Sequence, residues 1–582
     1  MLTVIRALTI VTLHALRGAL GAVSQASEAL KRALEGEAVV ELTIDGVHVK
    51  APAGTSILEA VLRSGREIPH FCYHPKLAVV GSCRMCQVEV QGAPKLAISC
   101  ATLVAEGMEV FTTSDRATKA RKAVLEFLLL NHPLDCPVCD KGGECPLQDY
   151  TLKYGPGESR FVEDKIHRIK HQPIGPHVIF DAERCILCTR CVRFCQDVVG
   201  TSELGVFSRA DRSEIGLFAG RSLDNKYSGN VIDLCPVGAL TSRDYRFKAR
   251  PWDLVKQVPS ICGLCSAGCN IIVDVRHKEP EQQILRIRPR INDDVNGHWI
   301  CDEGRFGFHF AQDAGRIAGP LVRRDVEFQP ASWNEAIEHV TDALSRVLRE
   351  RGPESIGVIA SSRLTNEESF LVRQLFVERL GIPNLDHRVT RYQEPGGDAP
   401  EDHLLRRTNK YPNSVGMVNM GIVPQAAGMG TKEMLAAAAE RRLAALFVFE
   451  EDLVAALSAE CAVSEALNNL DLLVVHDLFM TGTAKLAHVV LPAMSFYEKD
   501  GTFTNFKGRV QRLRPALEPF AQTIPLADIL RRIARPLGLA ATEGAPEEVW
   551  NEVAQSVPGY AGMTYDSIGD LGEQAGAQGV RP

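Results

Sequence analysis

Cysteine distribution constrains this chain more than any other feature. Sixteen of its seventeen cysteines fall between Cys72 and Cys301, and only Cys461 lies in the 281 residues beyond. Disulfide frameworks belong mainly to small secreted domains that cannot build a core. This chain has 582 residues, 45% of them hydrophobic, which is enough for several cores. In such a setting, cysteines grouped at short spacings point to metal ligation. The N-terminal half is therefore expected to fold around thiolate-held groups, and the C-terminal half around conventional apolar packing.

The cysteines divide into four sets. Cys72, Cys83, Cys86 and Cys100 place three thiolates on the loop CYHPKLAVVGSCRMC and return a fourth from beyond a strand. Four thiolates suit a [2Fe–2S] cluster, with four-cysteine zinc as the alternative. In NHPLDCPVCDKGGECPLQD, Cys136, Cys139 and Cys145 are one ligand short of a [4Fe–4S] cluster. His132, four residues before Cys136, is the candidate for the fourth; an imidazole ligand is neutral where thiolate is anionic, as in Rieske centres. ERCILCTRCVRFC is a bacterial-ferredoxin run. Cys195 lacks the following proline and LCPVGAL supplies one, so the third set is read as Cys185, Cys188, Cys191 and Cys235, with Cys195 unligated. ICGLCSAGCN and HWICDEGR close a fourth [4Fe–4S] set from Cys262, Cys265, Cys269 and Cys301, again with zinc as the alternative.

Local patterns place these sets on a multidomain α+β and α/β chain. Residues 1–36 read as an N-terminal extension, with a targeting peptide or amphipathic helix as alternatives. In 37–115, an Asp45-Gly46 hairpin followed by a helix capped at Thr55 or Ser56 predicts a β-grasp [2Fe–2S] domain. Residues 116–170 form the His/Cys cluster domain, 171–250 a loop-rich ferredoxin-like [4Fe–4S] domain, and 255–312 a further [4Fe–4S] domain. From 313 to 582 the texture is α/β: SWNEAIEHVTDALSRVLRERG is a helix pattern, and SIGVIAS, ALFVFEE and LDLLVVHD read as buried parallel strands. The tail after residue 541 is rich in Gly, Glu and Ala and is expected to be loose.

The net charge of −7 argues against a nucleic-acid partner. The apolar start is interrupted by Arg6, His14 and Arg17, so no spanning helix is expected. There is no P-loop, dinucleotide fingerprint, nucleophile elbow or H-E-x-x-H motif. The chain is expected to conduct electrons without a bond-making catalytic residue of its own.

The order of the four sets, and the stretch SGNVIDLCPVGALTSRDYRFKARPWDL at 228–254, resemble the family of 75 kDa-type iron–sulfur subunits (the G subunits) of NADH-quinone oxidoreductase, respiratory complex I. The resemblance covers about residues 37–540 and is strongest over 70–305. It implies one [2Fe–2S] and three [4Fe–4S] clusters, with the first three sets forming a wire and the fourth lying off it. It implies partners in a flavin- and NADH-binding subunit and in the quinone-side subunits. It also implies a peripheral place on the cytoplasmic face of a bacterial inner membrane, held there only through the complex. SWNEAI and HVVLPAMSFYEKDGTFTNFKGRVQ resemble the molybdopterin oxidoreductases. With no cysteine between Cys301 and Cys461, a degenerate scaffold without molybdenum is expected. A molybdenum enzyme, an iron hydrogenase cluster domain and a zinc scaffold are the alternatives.

Overall fold

The computed structural model describes residues 38–278, 281–389, 401–426, 428–457, 462–540 and 542–576. The N-terminal extension and Cys461 lie outside the described residues. The chain divides into two compact units, one ending at Pro251 and the other beginning at Trp252.

The first unit opens with a five-stranded sheet in the order Val47–Pro52, Val39–Ile44, Glu109–Phe111, Gln87–Val90, Ala97–Ile98. Asp45 and Gly46 have φ of 47° and 78°, the paired positive values of a type I′ turn, whose twist matches that of the strands it joins. Ser56, rather than Thr55, caps helix Ile57–Arg63, in a reciprocal capping box with Glu59. Leu42, Ile44, Ile57, Leu58, Val61, Val88 and Val110 form the core under this sheet, and Cys86 and Cys100 belong to it. Helix Asp115–Leu130 follows, capped by Ser114. Helix Pro146–Tyr154 starts directly at Cys145. Strands Gln172–Pro173, Val178–Phe180 and Leu240–Ser242 make a small sheet, and helix Arg190–Arg193 runs into a wider π-type turn over Phe194–Val199.

The second unit begins with an antiparallel sheet of Lys256–Ile261, Asn270–Lys278 and Glu281–Pro289. Its main body is a seven-stranded sheet. Val489–Pro492, Leu472–Asp477, Ala445–Phe449, Ile356–Ala360 and Asn384–Asp386 run parallel side by side, and Leu321–Arg324 and Glu327–Pro330 extend it antiparallel. The three runs read as buried strands are all central here, and every residue of each strand is buried. Such strands lack alternation because helices cover both faces. Helix Trp333–Arg351, capped by Ser332, packs one apolar stripe on this sheet. Among the described residues no helix is long and apolar enough to cross a membrane.

Over residues 542–576 the expectation of a loose tail fails. Residues Pro546–Ser556 form a helix, and Val549, Trp550 and Val553 place an apolar stripe at helical spacing within a Glu-rich run. These side chains, with Tyr560, Tyr565 and Ile568, join the main core, and the Trp550 indole donates to the Met563 carbonyl at 3.0 Å. Glu573–Gln574 then pairs with strand Arg509–Leu513.

Candidate iron–sulfur sites

None of the sixteen described cysteines is in a disulfide. In the first set, thiol hydrogen bonds link Cys83 to Cys72, Cys72 to Cys100, and Cys100 to Cys86, so the four sulfurs form one continuous group. Hydrogen bonds from Cys100 and Cys83 hold Cys72 far below its ordinary value, and the one from Cys100 lowers Cys86 to about 6. The same bonds push the donors Cys83 and Cys100 up, so the set shares its protons, with Cys72 and Cys86 favoured as thiolates, the ligand form. The Cys72 N–H donates to Cys83 Sγ at 3.4 Å.

In the second set, Cys136 is exposed and opens a tight turn, Cys139 is buried, and Cys145 stands at the N-terminus of Pro146–Tyr154. His132 follows the end of Asp115–Leu130. Burial, then the charges of Arg184 and Lys165, lower its pKa to about 4 and keep the ring neutral, as a metal ligand must be. Arg184 also neighbours Cys139, so His132 and Cys139 share one buried guanidinium. His132 additionally lines, with Cys185 and Ile186, a cavity of about 200 Å³.

Cys185, Cys188, Cys191 and Cys235 of the third set all line one small cavity, together with Phe180, Ile215 and Val237. Cys195 is fully buried elsewhere and hydrogen-bonds to Glu203 and Asn225. The second and third sets adjoin. Cys145 Sγ donates to the Pro236 carbonyl at 3.8 Å, and a Cβ on Gly238 would lie 2.0 Å from Cys139 Sγ. In the fourth set, in the second unit, all four cysteines are buried, and Cys301 Sγ accepts from the Gly304 N–H at 3.3 Å while capping Asp302–Phe306. Burial pushes these thiols up, Cys301 to about 12. An iron cluster supplies the counter-charge that would hold them as thiolates.

Each ligand run contains a left-handed residue: Arg84, Gly143, Leu187 and Thr189, and Gly268. Alternating handedness turns successive N–H groups to one side, a concavity suited to anions such as cluster sulfides. At Leu187 it points the N–H at Cys185 Sγ, 3.4 Å away. Three of these are not glycine and cost about 1–2 kcal/mol each, strain of the kind that concentrates at functional sites. Nothing in the side chains of Arg84, Leu187 or Thr189 announces it. The donor sets, their burial and these loops fit iron–sulfur clusters. Among the described residues, no three His, Cys, Asp or Glu side chains converge on one ion-sized point.

A cavity of about 660 Å³ opens beside the fourth set, between Gly263 and Leu264 and the C-terminal ends of the parallel strands. Glu303, Glu450, Glu451, Asp452 and Asp477 line it, against Arg363 and Lys410. That acidic lining does not suit a phosphate-bearing pterin.

Fold and sites together point to an iron–sulfur protein of several domains, followed by a region similar to the molybdopterin oxidoreductases. Family models match over 37–115 (2Fe-2S iron-sulfur cluster binding domain), 121–160 (NADH-ubiquinone oxidoreductase-G iron-sulfur binding region) and 175–241 (NADH-quinone oxidoreductase subunit 3, ferredoxin-like domain). Two more match 255–309 (NADH-ubiquinone oxidoreductase NDSU1/NuoG-like, 4Fe-4S domain) and 316–415 with 408–535 (molybdopterin oxidoreductase). The chain is a homologue of the bacterial G subunits of NADH-quinone oxidoreductase and of the mitochondrial 78 kDa subunits of NADH-ubiquinone oxidoreductase. It is 44% identical over 391 residues to the Neurospora crassa 78 kDa subunit, covering 67% of this chain and 51% of that protein. It is 42% identical over 346 residues to the G subunit from Rickettsia felis, covering 60% and 50%. With the G subunit from Streptomyces coelicolor the values are 41% over 378 residues, 64% and 44%. The chain thus spans about half the length of the curated relatives it matches.

Proposed function

We propose that this chain is the electron-wire subunit of a proton-pumping NADH-quinone oxidoreductase, receiving single electrons from a flavin- and NADH-binding subunit and passing them toward quinone-side subunits. The observation that carries this reading is the grouping of mostly buried cysteines into sets inside domains matched to that enzyme family. The ligands are Cys72, Cys83, Cys86 and Cys100 for a [2Fe–2S] cluster. For three [4Fe–4S] clusters they are His132, Cys136, Cys139 and Cys145; Cys185, Cys188, Cys191 and Cys235; and Cys262, Cys265, Cys269 and Cys301. The domain divisions at 37–115, 116–170, 171–250, 255–312 and 313–582 belong to the same reading. When bound, the clusters supply reversible one-electron chemistry. The chain's residues hold them, exclude water, and set the surrounding charge. The adjoining second and third sets in one unit suit transfer between neighbours, whereas the fourth, in the other unit, is assigned a structural role. The acidic cavity beside it supports a scaffold without molybdenum. Attachment to the cytoplasmic face of a bacterial membrane comes through the partners.

The test is metal content and EPR of the anaerobically purified full chain. About fourteen iron atoms per chain are expected from one two-iron and three four-iron clusters, with molybdenum and zinc at background. Stoichiometric molybdenum, or zinc in place of iron, would refute this reading. His132→Ala should perturb only the second centre's signal, and an unchanged signal and potential would remove His132 from the ligand set.

A further inference from the structure

Two arginines within the third set's run reach across the first unit to the ligand loop of the first set. Arg193 is 9% exposed. Its Nη2 donates both to the Cys72 carbonyl at 2.5 Å and to the Cys188 carbonyl at 3.2 Å. One nitrogen therefore joins the backbone of a ligand residue from each set. Its Nη1 donates to the Ala78 carbonyl, and its Nε to Thr189 Oγ1 at 3.3 Å. Arg190 repeats the arrangement. It donates through Nη2 to the Tyr73 carbonyl, next to Cys72, and through Nη1 to the Leu234 carbonyl, next to Cys235, at 3.3 Å.

All of these acceptors are neutral oxygens, so none cancels the charge of buried Arg193 or of half-buried Arg190. Burying a cation against dipoles alone is costly, and a compensating anion normally accompanies it. The anions on hand are the thiolates that cluster binding would create: Cys188, Cys235 and Cys72 are the groups whose negative charge would favour the Arg190 cation. The planar fork of a guanidinium is also what allows one side chain to satisfy acceptors on two separate loops, which an ammonium point donor does less well.

We propose that Arg190 and Arg193 form a strap that fixes the spacing of the first and third redox centres and raises the reduction potential of both. It rests on the reading that these two sets hold clusters. A fixed positive charge between two centres stabilises the reduced, more negative state of each. Because it bonds to the ligand backbones themselves, it also couples their positions.

The experiment is an EPR-monitored redox titration of the full-length, cluster-loaded chain, with the spin-relaxation enhancement of the first centre by the third as a second readout. Arg193→Gln should make both centres harder to reduce, by about tenfold in the reduction equilibrium, or about 59 mV for a one-electron couple. The fourth centre should not move. Arg193→Lys should restore most of both potentials while leaving the relaxation enhancement altered. If Arg193→Gln fails to load iron, Arg190→Gln and Arg193→Lys carry the same comparison. Unmoved potentials in loaded variants, or a shift at the third centre alone, overturn the strap. Absence of iron from the unaltered chain would instead overturn the functional reading beneath it.

Discussion

Gly238→Ala is the sharpest steric test of how the second and third sets are joined. Gly238 follows the Cys235-Pro236-Val237 segment, and its φ is not in the left-handed region, so alanine meets no backbone strain. The added methyl would lie 2.0 Å from Cys139 Sγ, with Lys141 Cβ at 3.4 Å and Arg184 Cδ at 3.6 Å closing its other sides. Ordinary contact is about 3.5–4.0 Å, so the sulfur or the loop must retreat by about 1.5–2 Å. Metal–ligand distances tolerate only about 0.2 Å. Cys139 therefore cannot clear the methyl and still ligate, and moving the loop instead would drag Cys235 with it. As a packing defect the change costs about 1–3 kcal/mol, which a domain of this size survives. The expected outcome is a folded chain that has lost about four iron atoms and the second centre's EPR signal, with the first and fourth intact. Iron content is the direct assay, and a thermal melt verifies folding. Full iron content with an unchanged second-centre signal and potential would refute the placement of Cys139 as a ligand against this loop.

Cys195→Ser should leave all centres intact, since a hydroxyl can replace the thiol toward Glu203 and Asn225, whereas Cys235→Ser should remove or convert the third centre; EPR showing the reverse pattern would reassign the ferredoxin run. Arg316 and Glu498 form a pair with side chains 1% exposed, bridged by two bonds of 3.0 and 2.8 Å. Glu498→Gln leaves the guanidinium without its counter-charge and should cost about 3–5 kcal/mol by denaturant titration; a loss under about 1 kcal/mol would contradict this. Burial raises Asp477 from 3.8 to about 6. Between those values the folded state holds a proton that the unfolded state has released, so stability falls as pH rises through the window, by up to ~1.4 kcal/mol per unit. Asp477→Asn should flatten that slope in denaturant midpoints measured from pH 4 to 6, and an unchanged slope would count against it.

Chemistry and local structure are largely legible from sequence because both are written in short spacings. The cysteine runs, the Asp45-Gly46 turn, the cap at Thr55 or Ser56 and the continuously apolar strands each depend on residues within a few positions of one another. The assignment of Cys235 over Cys195 turns on a single proline, and the structure groups Cys235 with Cys185, Cys188 and Cys191. The tail misleads because its composition masks the Val549, Trp550 and Val553 stripe, whose value depends on a core supplied by residues some 200 positions earlier. What only the tertiary structure decided is how the sets meet. Gly238 against Cys139, Arg193 between Cys72 and Cys188, and the left-handed φ at Arg84, Leu187 and Thr189 carry no local signal. A ligand's identity follows from its own side chain. Its distance from the next centre, and the charge held between them, follow from contacts between segments as much as 121 residues apart, which exist only once the chain has closed on itself.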